Sequence, residues 1–292
     1  MSEYSMQSQS LGLQSVGNAH DLGGYRTSDG RTIRRGALLR SAVPVFANED
    51  DRARLRDELH VTTVLDFRMQ MELDDAMVTG GTAGAVAGAT QDRPAPHALE
   101  FAHTQHIRIL DEEQFMSGLQ DPTRGRSQLS PMQLIIAAVN AGFVNDMMYV
   151  DFLEADAGKQ GYSAMFRALV AQPRDEALLF HCTQGKDRTG LAAMLILDTL
   201  GTDEQTILFD YLLTNEFNAP LIERERQGLL SAGIAPDQLD RYMLGMDQVY
   251  PQTMHNAMAH LRDTYASVWG YVHDALGVSE TEREQLRRKY LE

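Results

Sequence analysis

The sequence of 292 residues predicts an α/β fold, in which a central, mainly parallel sheet is flanked by helices and the C-terminal third is helical. Two observations support this prediction. Short apolar runs alternate with segments of helical periodicity through the first two thirds of the chain, and nearly everything after Gly201 has helical spacing of its apolar residues. With 43% hydrophobic and 23% charged residues, the composition is that of an ordinary globular domain with enough apolar side chains for a buried core.

The strand predictions rest on short apolar or β-branched runs. The run 61–66 is strongly β-branched and the run 177–180 is entirely apolar, so these two are the clearest strands. Two shorter runs, 37–40 and 106–110, are further strand candidates. An Asp-Gly pair within 27–32 predicts a hairpin turn.

The helix predictions follow the apolar spacing and the acidic or small residues that open each segment. The predicted helices are 48–59, 131–152, 161–171, 190–197, 203–215, 220–232, 252–276 and 280–291. Residues 80–96 are rich in Gly, Ala and Pro and are predicted to be a loop. Residues 1–16 are polar and rich in Ser and Gln, so we expect a flexible N-terminal arm followed by a single domain from 17 to 292.

The charge and the absence of targeting signals limit the class of protein. The 26 basic and 41 acidic residues give a net charge of −15, which argues against general nucleic-acid binding. No apolar run is long enough to span a membrane, and the N-terminus lacks the basic and apolar regions of a signal peptide. The cytoplasm is therefore the default expectation, with leaderless secretion as the alternative. The sequence does not indicate an oligomeric state.

The single cysteine of the chain lies in the run 181–190, which reads HCTQGKDRTG. Arg188 follows Cys182 after six positions, and Thr189 comes next. A short loop between a strand and a helix can turn its backbone N–H groups inward and hold a phosphate-sized anion. The planar guanidinium of Arg188 matches two phosphate oxygens. This spacing predicts a phosphate site with a cysteine at its base.

The run resembles the signature of the atypical bacterial tyrosine/lipid phosphatases, a group that includes secreted mycobacterial and listerial enzymes. Further stretches that resemble the family are NAHDLGGY at 18–25, RGALLRS at 35–41, LDFRMQME at 65–72 and DYLLTN at 210–215. Gln184 stands where the family usually has Ala, and His20 where it commonly has Arg. The resemblance implies a cysteine-phosphatase fold that hydrolyses phosphotyrosine, phosphoinositides or also phosphoserine and phosphothreonine. It also suggests a helical lid within 202–250, although the apolar faces there favour a plain core.

This interpretation assigns chemical roles to most residues of the run and to two residues outside it. Cys182 is the proposed nucleophile, which attacks phosphorus and forms a phosphocysteine that water hydrolyses. Arg188 binds the phosphoryl oxygens and stabilises the transition state, and Thr189 donates a hydrogen bond to the leaving thiolate. The proposed substrate-binding residues are Thr183, Gln184, Gly185, Lys186, Asp66 and Arg68.

The leaving oxygen needs a proton, and three aspartates are candidates for the general acid. Asp187, inside the loop, is the first choice, and the family resemblance implies the same. Asp111 is the second, because it ends a predicted strand upstream of the nucleophile. Asp66 is the third, with orientation of Arg188 or of a loop amide as its alternative role. The one tryptophan, Trp269, is not part of a Trp-Pro-Asp sequence.

Lys186 is the residue that bears on substrate class. A cation beside the loop is unnecessary for a phosphotyrosine monoester but would help to bind an inositol ring with several phosphates. The nine histidines show no metal-ligand spacing, so neither a metal nor a cofactor is expected. Two alternatives remain: a rhodanese-like sulfurtransferase, which has no use for the arginine and threonine, and a catalytically inactive phosphate-binding module, which usually lacks the cysteine or the arginine.

Overall fold

A computed structural model describes residues 4–74, 99–111 and 131–292. Its sheet contains β1 (His20–Asp21), β2 (Leu38–Ser41), β3 (Val61–Asp66), β4 (His103–His106) and β5 (Ala177–His181). The strand order is β1-β2-β5-β3-β4, and every neighbouring pair is parallel except β1 with β2. The predicted mainly parallel sheet flanked by helices is confirmed.

The helices in the first half of the chain are α1 (Met6–Gln9), α2 (Glu49–Ala53, continued by a π-helical turn at Arg54–Glu58), α3 (Gln70–Asp74), α4 (Pro131–Asn140), α5 (Met148–Glu154) and α6 (Asp156–Ala171). Those in the second half are α7 (Asp187–Leu200), α8 (Glu204–Phe217), α9 (Ala219–Ser231), α10 (Leu239–Met243), α11 (Pro251–Tyr265), α12 (Val268–Asp274) and α13 (Glu280–Tyr290). In the described part of the chain, no helix is both long and apolar enough to cross a bilayer.

The core has two main layers because β5 carries apolar side chains on both faces. Leu178 and Phe180 of β5 lie in the larger apolar cluster, which also contains nearly all of the apolar side chains of α7. Leu179 points to the opposite face and joins a smaller cluster with residues of β2, β3 and the N-terminal segment. A parallel strand that is covered on both faces needs such a continuous apolar run. The helix α7 is buried on all sides, which explains its nearly unbroken apolar sequence.

The N-terminal segment corrects one expectation. The sequence predicts a flexible arm at 1–16, but the described part of this segment, 4–16, is packed on the body of the protein. Gln9 is fully buried, and its side-chain amide donates to the carbonyl oxygens of Asp21 and Gly23. Leu11 and Val16 are buried in the smaller cluster. The polar composition of this segment predicted a flexible arm. A few apolar side chains and the buried Gln9 amide are nevertheless enough to hold it against the domain.

Two long predicted helices are interrupted. The predicted helix 131–152 is divided into α4 and α5 near Gly142, whose φ of +83° ends the first helix. The predicted helix 252–276 is divided into α11 and α12 at Ala266, which has a φ of +66°. The predicted strand 106–110 is also wrong in position, because β4 pairs with β3 through residues 103–106. The predicted loop 80–96 lies outside the described residues.

Residues 202–250 belong to two different packing groups. The helix α8 packs on α7, and a Cβ placed on Gly190 would lie 3.2 Å from the Tyr211 ring. A separate small cluster joins α4, α9 and α10 through Val139, Leu229, Leu239, Tyr242, Met243 and Met246. The sequence favoured core over lid for such apolar faces, and these side chains are buried. That this cluster forms a lid over the site stays a prediction.

Candidate active site

The run 182–186 connects β5 to α7 at the carboxyl end of the parallel strands. This edge of an α/β sheet is where ligands bind in such folds. Cys182 follows β5 directly and is 2% exposed. The helix α7 begins at Asp187, so the positive end of its dipole points at the same loop. Cys182–Lys186 is called the phosphate loop below.

All five carbonyl groups of the phosphate loop are bound by groups outside it. Their partners are His181 Nδ1 for Cys182, Val43 N for Thr183, Asn18 Nδ2 for Gln184, Asn18 Nδ2 and Arg40 Nη2 for Gly185, and Gly190 N for Lys186. In a trans peptide the following N–H points away from the carbonyl oxygen, so the amides of the loop point to the other side. No hydrogen bond among the described residues engages the amides of Gly185, Lys186 or Arg188. The loop therefore presents free N–H donors to an anion.

Gly185 allows the phosphate loop to pass close to β2. Its φ is +71°, in the left-handed region that favours glycine. A Cβ at this position would lie 2.5 Å from the carbonyl carbon and oxygen of Ser41. Any side chain would therefore push the loop away from the strand that supports it.

Arg188 is held in place by Glu72, a residue of α3. The Arg188 Nη1 and Nη2 groups donate to Glu72 Oε2 at 2.5 Å and Oε1 at 2.7 Å, and Nη1 also donates to the Phe67 carbonyl at 3.1 Å. Thr183 Oγ1 donates to Glu72 Oε1 at 2.5 Å. Three of the five guanidinium donors are used, which leaves Nε–H and one Nη2–H. These two donors form the fork that matches two phosphate oxygens.

The electrostatics of this pair keep both partners charged. Burial alone would raise the pKa of Glu72, but the charge of Arg188 and its hydrogen bonds lower the pKa below its ordinary value. Burial alone would lower the pKa of Arg188, but Glu72 raises it above its ordinary value. Glu72 was part of the stretch at 65–72 that resembles the family, but sequence reasoning gave it no role.

Asp187 is oriented by a buried tyrosine pair. Tyr149 in α5 donates its hydroxyl to Asp187 Oδ1 at 2.7 Å and lies 3.0 Å from the Tyr211 hydroxyl. Burial, followed by the Asp187 charge, raises the pKa of Tyr149 well above its ordinary value, so the phenol remains a donor. Asp187 Oδ2 lies 3.6 Å from Lys186 Nζ, and the side chain is 23% exposed. One carboxyl oxygen is thus held by Tyr149, and the other faces the Lys186 ammonium.

Lys186 is buried and already bound. Its side chain is 2% exposed, and its Nζ donates to the Leu244 carbonyl at 2.8 Å. The lysine therefore connects the phosphate loop to the segment that follows α10. This bond uses one of the three donors of the ammonium.

Thr189 lies fully buried in the first turn of α7. Its Oγ1 has no hydrogen-bond partner among the described residues. An unpaired buried hydroxyl beside the phosphate loop agrees with the predicted donation to a leaving thiolate, which stays a prediction.

Asp66 and Arg68 form a separate buried ion pair at the end of β3. Arg68 Nη2 lies 2.6 Å from Asp66 Oδ2, and each side chain is 1% exposed. Burial alone would raise the pKa of Asp66, but His181 and Arg68 lower it to about 2. Asp66 is therefore ionised at neutral pH and a poor proton donor. Asp111, the other alternative acid, lies exposed after the segment that follows β4.

The structure thus brings Cys182, Thr183, Asp187, Arg188 and Thr189 together around one loop. Sequence reasoning gave no role to Glu72, Tyr149, Asn18 and Asp210, which come from four other segments. Within the described ranges, no group of three or more His, Cys, Asp or Glu side chains is placed to hold a metal ion.

Comparison with known proteins gives consistent matches. A family model described as tyrosine phosphatase family matches residues 11–292. A putative tyrosine-protein phosphatase from Cupriavidus necator is 30% identical over 284 residues, which cover 96% of this chain and 88% of the relative. A tyrosine-protein phosphatase from Nostoc commune is 35% identical over 223 residues, 73% of each chain. The triple specificity protein phosphatase PtpB of Mycobacterium tuberculosis is 26% identical over 271 residues, 87% of this chain and 91% of the relative.

Proposed function

The chain belongs to the tyrosine phosphatase family, and from this premise we propose that it is a metal-independent phosphomonoesterase that hydrolyses phosphotyrosine through a phosphocysteine intermediate. One observation carries the proposal. Cys182 begins a loop whose free amides, together with the two unused donors of Arg188, provide the charge complement of a phosphoryl group. Inert buried cysteines have no such surroundings.

In the first step the Cys182 thiolate attacks phosphorus, so that an S–P bond forms and the P–O bond to the leaving group breaks. The leaving oxygen takes its proton from Asp187. Inward N–H groups and Arg188 stabilise the charge on the phosphoryl oxygens, because they are fixed before the reaction begins. Tyr149 holds Asp187 in one orientation during this transfer.

In the second step a water molecule attacks the phosphocysteine. Asp187, now ionised, accepts a proton from this water, and the S–P bond breaks. Thr189 Oγ1 donates to the departing thiolate, which restores the nucleophile. The products are the dephosphorylated alcohol and inorganic phosphate.

We extend the proposal to phosphoinositides because the loop contains Lys186. The ammonium is paired with a single carbonyl oxygen, Leu244 O, and with Asp187 at 3.6 Å. A second phosphate on an inositol ring would compete with that carbonyl through a stronger charged hydrogen bond. Hydrolysis of phosphoserine or phosphothreonine places the greatest demand on Asp187, because an alkoxide leaves less readily than a phenoxide.

Phosphate release by wild type and Cys182→Ser tests the proposal. A phosphotyrosine peptide, a phosphoserine peptide and a water-soluble phosphoinositide are each assayed in the presence of EDTA. Release by wild type that Cys182→Ser abolishes is the expected result. If wild type releases no phosphate but binds vanadate, the protein is a phosphate-binding module. Sulfur transfer from thiosulfate without phosphate release would indicate the sulfurtransferase alternative.

Lys186→Met tests the lipid part of the proposal separately. The substitution keeps the length of the side chain and removes its charge. We expect a larger loss of kcat/KM on the phosphoinositide than on the phosphotyrosine peptide, by about tenfold, because only the former has a further phosphate to bind. Equal losses on both substrates would assign Lys186 to support of the loop alone.

A further inference from the structure

Two buried side chains from the N-terminal part of the chain hold carbonyl groups of the phosphate loop. Asn18 Nδ2 lies 3.3 Å from the Gln184 oxygen and 3.0 Å from the Gly185 oxygen. Arg40 Nη2 donates to the same Gly185 oxygen at 2.7 Å. Asn18 is 1% exposed and Arg40 is fully buried. Neither residue lies in the stretch 181–190.

Arg40 is itself fixed by Asp210 from α8. The Arg40 Nη1 group lies 2.6 Å from Asp210 Oδ2, and both side chains are buried. Tyr25 donates its hydroxyl to Asp210 Oδ1 at 3.1 Å, and His20 Nε2 lies 3.5 Å from the same oxygen. The Arg40 guanidinium thus bridges the Asp210 carboxylate and the Gly185 carbonyl, and Asp210 is held by a further hydrogen bond from Tyr25.

Asn18 is also held in a single geometry. Its φ is +48°, a left-handed conformation that asparagine tolerates better than most residues. Its own carbonyl oxygen lies 3.1 Å from His20 Nδ1, and its side-chain Nδ2 lies 3.3 Å from Thr214 Oγ1 in α8. The amide group therefore approaches the loop from a fixed direction.

These contacts decide where the loop amides point. The peptide between Gln184 and Gly185 and the peptide between Gly185 and Lys186 each have their carbonyl oxygen bound on the outer side of the loop. Because both peptides are trans, the N–H groups of Gly185 and Lys186 must point to the inner side. Rotation of either peptide would break a hydrogen bond to its carbonyl, and rotation of the Gly185–Lys186 peptide would also take this acceptor from the buried Arg40 Nη2.

We propose that Asn18 and the Arg40–Asp210 pair are positioning residues, which aim the amides of Gly185 and Lys186 at the phosphoryl oxygens. The proposal rests on the proposed function and deepens it, because it assigns the orientation of the anion site to residues that touch neither substrate nor nucleophile. Residues that orient a reactive group from behind typically contribute 10- to 100-fold to its function. Removal of one donor from a site that stabilises an oxyanion costs about 10²–10³ in kcat.

Asn18→Gly and Arg40→Lys test the proposal with little change to the backbone and the charge. Glycine keeps the left-handed conformation and removes the side-chain donor. Lysine keeps a positive charge near Asp210 but lacks the fork that reaches two partners. His60→Gly is the control for the first, because His60 also has a positive φ, +52°, and is exposed at the start of β3.

Arg287→Lys is the control for the arginine substitution. Arg287 makes the same two kinds of hydrogen bond as Arg40 at a more exposed position, since one Nη group donates to the Leu200 carbonyl and the other to Asp29 at 2.8 Å. It lies away from the phosphate loop, in α13. A loss of stability caused by a weakened guanidinium bridge should therefore lower the unfolding midpoint of both variants, whereas only Arg40→Lys should alter the phosphate loop.

Four measurements separate positioning from structural support. They are the rate of Cys182 alkylation by iodoacetamide at pH 6, the inhibition or dissociation constant of vanadate, kcat and KM for phosphate release, and the unfolding midpoint. The alkylation rate follows the fraction of thiolate, which inward N–H groups favour. We expect both test variants to lower this rate several-fold, to weaken vanadate about 10-fold and to lower kcat more than they raise KM. Both controls should match wild type in alkylation and vanadate binding.

The outcomes are distinct. Wild-type alkylation and vanadate binding in folded Asn18→Gly and Arg40→Lys would overturn the proposal, even if the unfolding midpoint falls. If Arg40→Lys does not fold, Asn18→Gly alone decides. If wild type releases no phosphate but the variants shift alkylation and vanadate binding as expected, the positioning role stands and the proposed phosphatase activity fails.

Discussion

Arg188 has five N–H donors, and three of them already have acceptors in the absence of substrate. Glu72 fixes the orientation of the guanidinium, because it accepts from both Nη groups and leaves Nε–H and one Nη2–H for a phosphoryl group. We predict that Glu72→Gln lowers kcat/KM about 10- to 100-fold and weakens vanadate by a similar factor. Glutamine keeps an acceptor oxygen but loses the charge that holds the guanidinium.

Asp51→Asn is a matched control for this substitution. Asp51 is 2% exposed and accepts hydrogen bonds from the backbone amides of Gln14 and Ser15, so it is also a buried carboxylate with several donors. Both variants should lower the unfolding midpoint, but only Glu72→Gln should change vanadate binding. Vanadate binding that is unaltered in Glu72→Gln would remove Glu72 from the site.

Asp187 is the aspartate that the geometry favours as general acid. We predict that Asp187→Asn lowers kcat about 100-fold on an alkyl phosphate but much less on p-nitrophenyl phosphate, whose leaving group hardly needs a proton. Vanadate binding should be nearly unchanged, because the amides and Arg188 are intact. Equal losses on the two substrates would contradict the acid role and return Asp111 to consideration.

At the scale of elements, the approach of the phosphate loop to β2 depends on Gly185. We predict that Gly185→Ala abolishes most activity, by more than about 100-fold, because the methyl group would overlap the Ser41 carbonyl and displace the loop amides. Gly30→Ala separates this effect from backbone strain. Gly30 has a similar φ of +87°, but no atom lies within 4 Å of a Cβ placed there.

Activity and unfolding midpoints of both variants check this prediction. Gly30→Ala should lose about 1 kcal/mol of stability from strain and retain activity. If Gly185→Ala were no less active than Gly30→Ala, the close approach to β2 would have no part in forming the anion site.

The helix α9 contains a buried carboxyl group, Glu225, whose Oε2 accepts from the Asp247 amide at 3.1 Å. Burial and the neighbouring Asp247 raise the pKa of Glu225 well above its ordinary value. The folded protein therefore holds a proton that the unfolded chain releases, so stability is full below the ordinary glutamate pKa and falls as the pH rises toward the raised value.

We predict that Glu225→Gln flattens this dependence, because the amide mimics the protonated carboxyl. The unfolding midpoint at pH 8 should rise by about 2 °C or more relative to wild type, with a smaller change at pH 5. Thermal unfolding at both pH values checks the prediction. A midpoint that falls equally at both would show that Glu225 is needed in its charged form.

At the scale of the whole molecule, residues 4–16 are part of the folded unit. Leu11 is 3% exposed within the smaller apolar cluster. We predict that Leu11→Ala lowers the free energy of unfolding by about 2–4 kcal/mol, because it leaves a cavity. Leu230→Ala, at a position that is 36% exposed, should change it by less than about 0.5 kcal/mol. Urea unfolding of both variants measures the difference, and equal midpoints would show that the segment is not stably docked.

What the sequence could predict depends on whether the relevant residues are contiguous. The phosphate loop, β5 and α7 form one uninterrupted stretch, so their order and fold were readable from it, and the chemical roles of their residues stay predictions. Glu72, Tyr149 and Arg40 lie on other strands and helices. Their proximity to the loop depends on the strand order, which short sequence patterns do not encode. The break at Ala266 was not predicted because alanine favours helices, although Ser267 caps the second helix by accepting from the Gly270 amide.

The central position of β5 has a consequence for synthesis of the protein. β2 and β3 are synthesised early and do not pair with each other. Both pair with β5, which leaves the ribosome more than a hundred residues later. At about 5–20 residues per second, this interval is long compared with local helix and hairpin formation. The nascent chain therefore has two open strand edges at which chaperones or other chains can bind. Cys182 follows that last strand directly, so a chain that stops before it has no nucleophile.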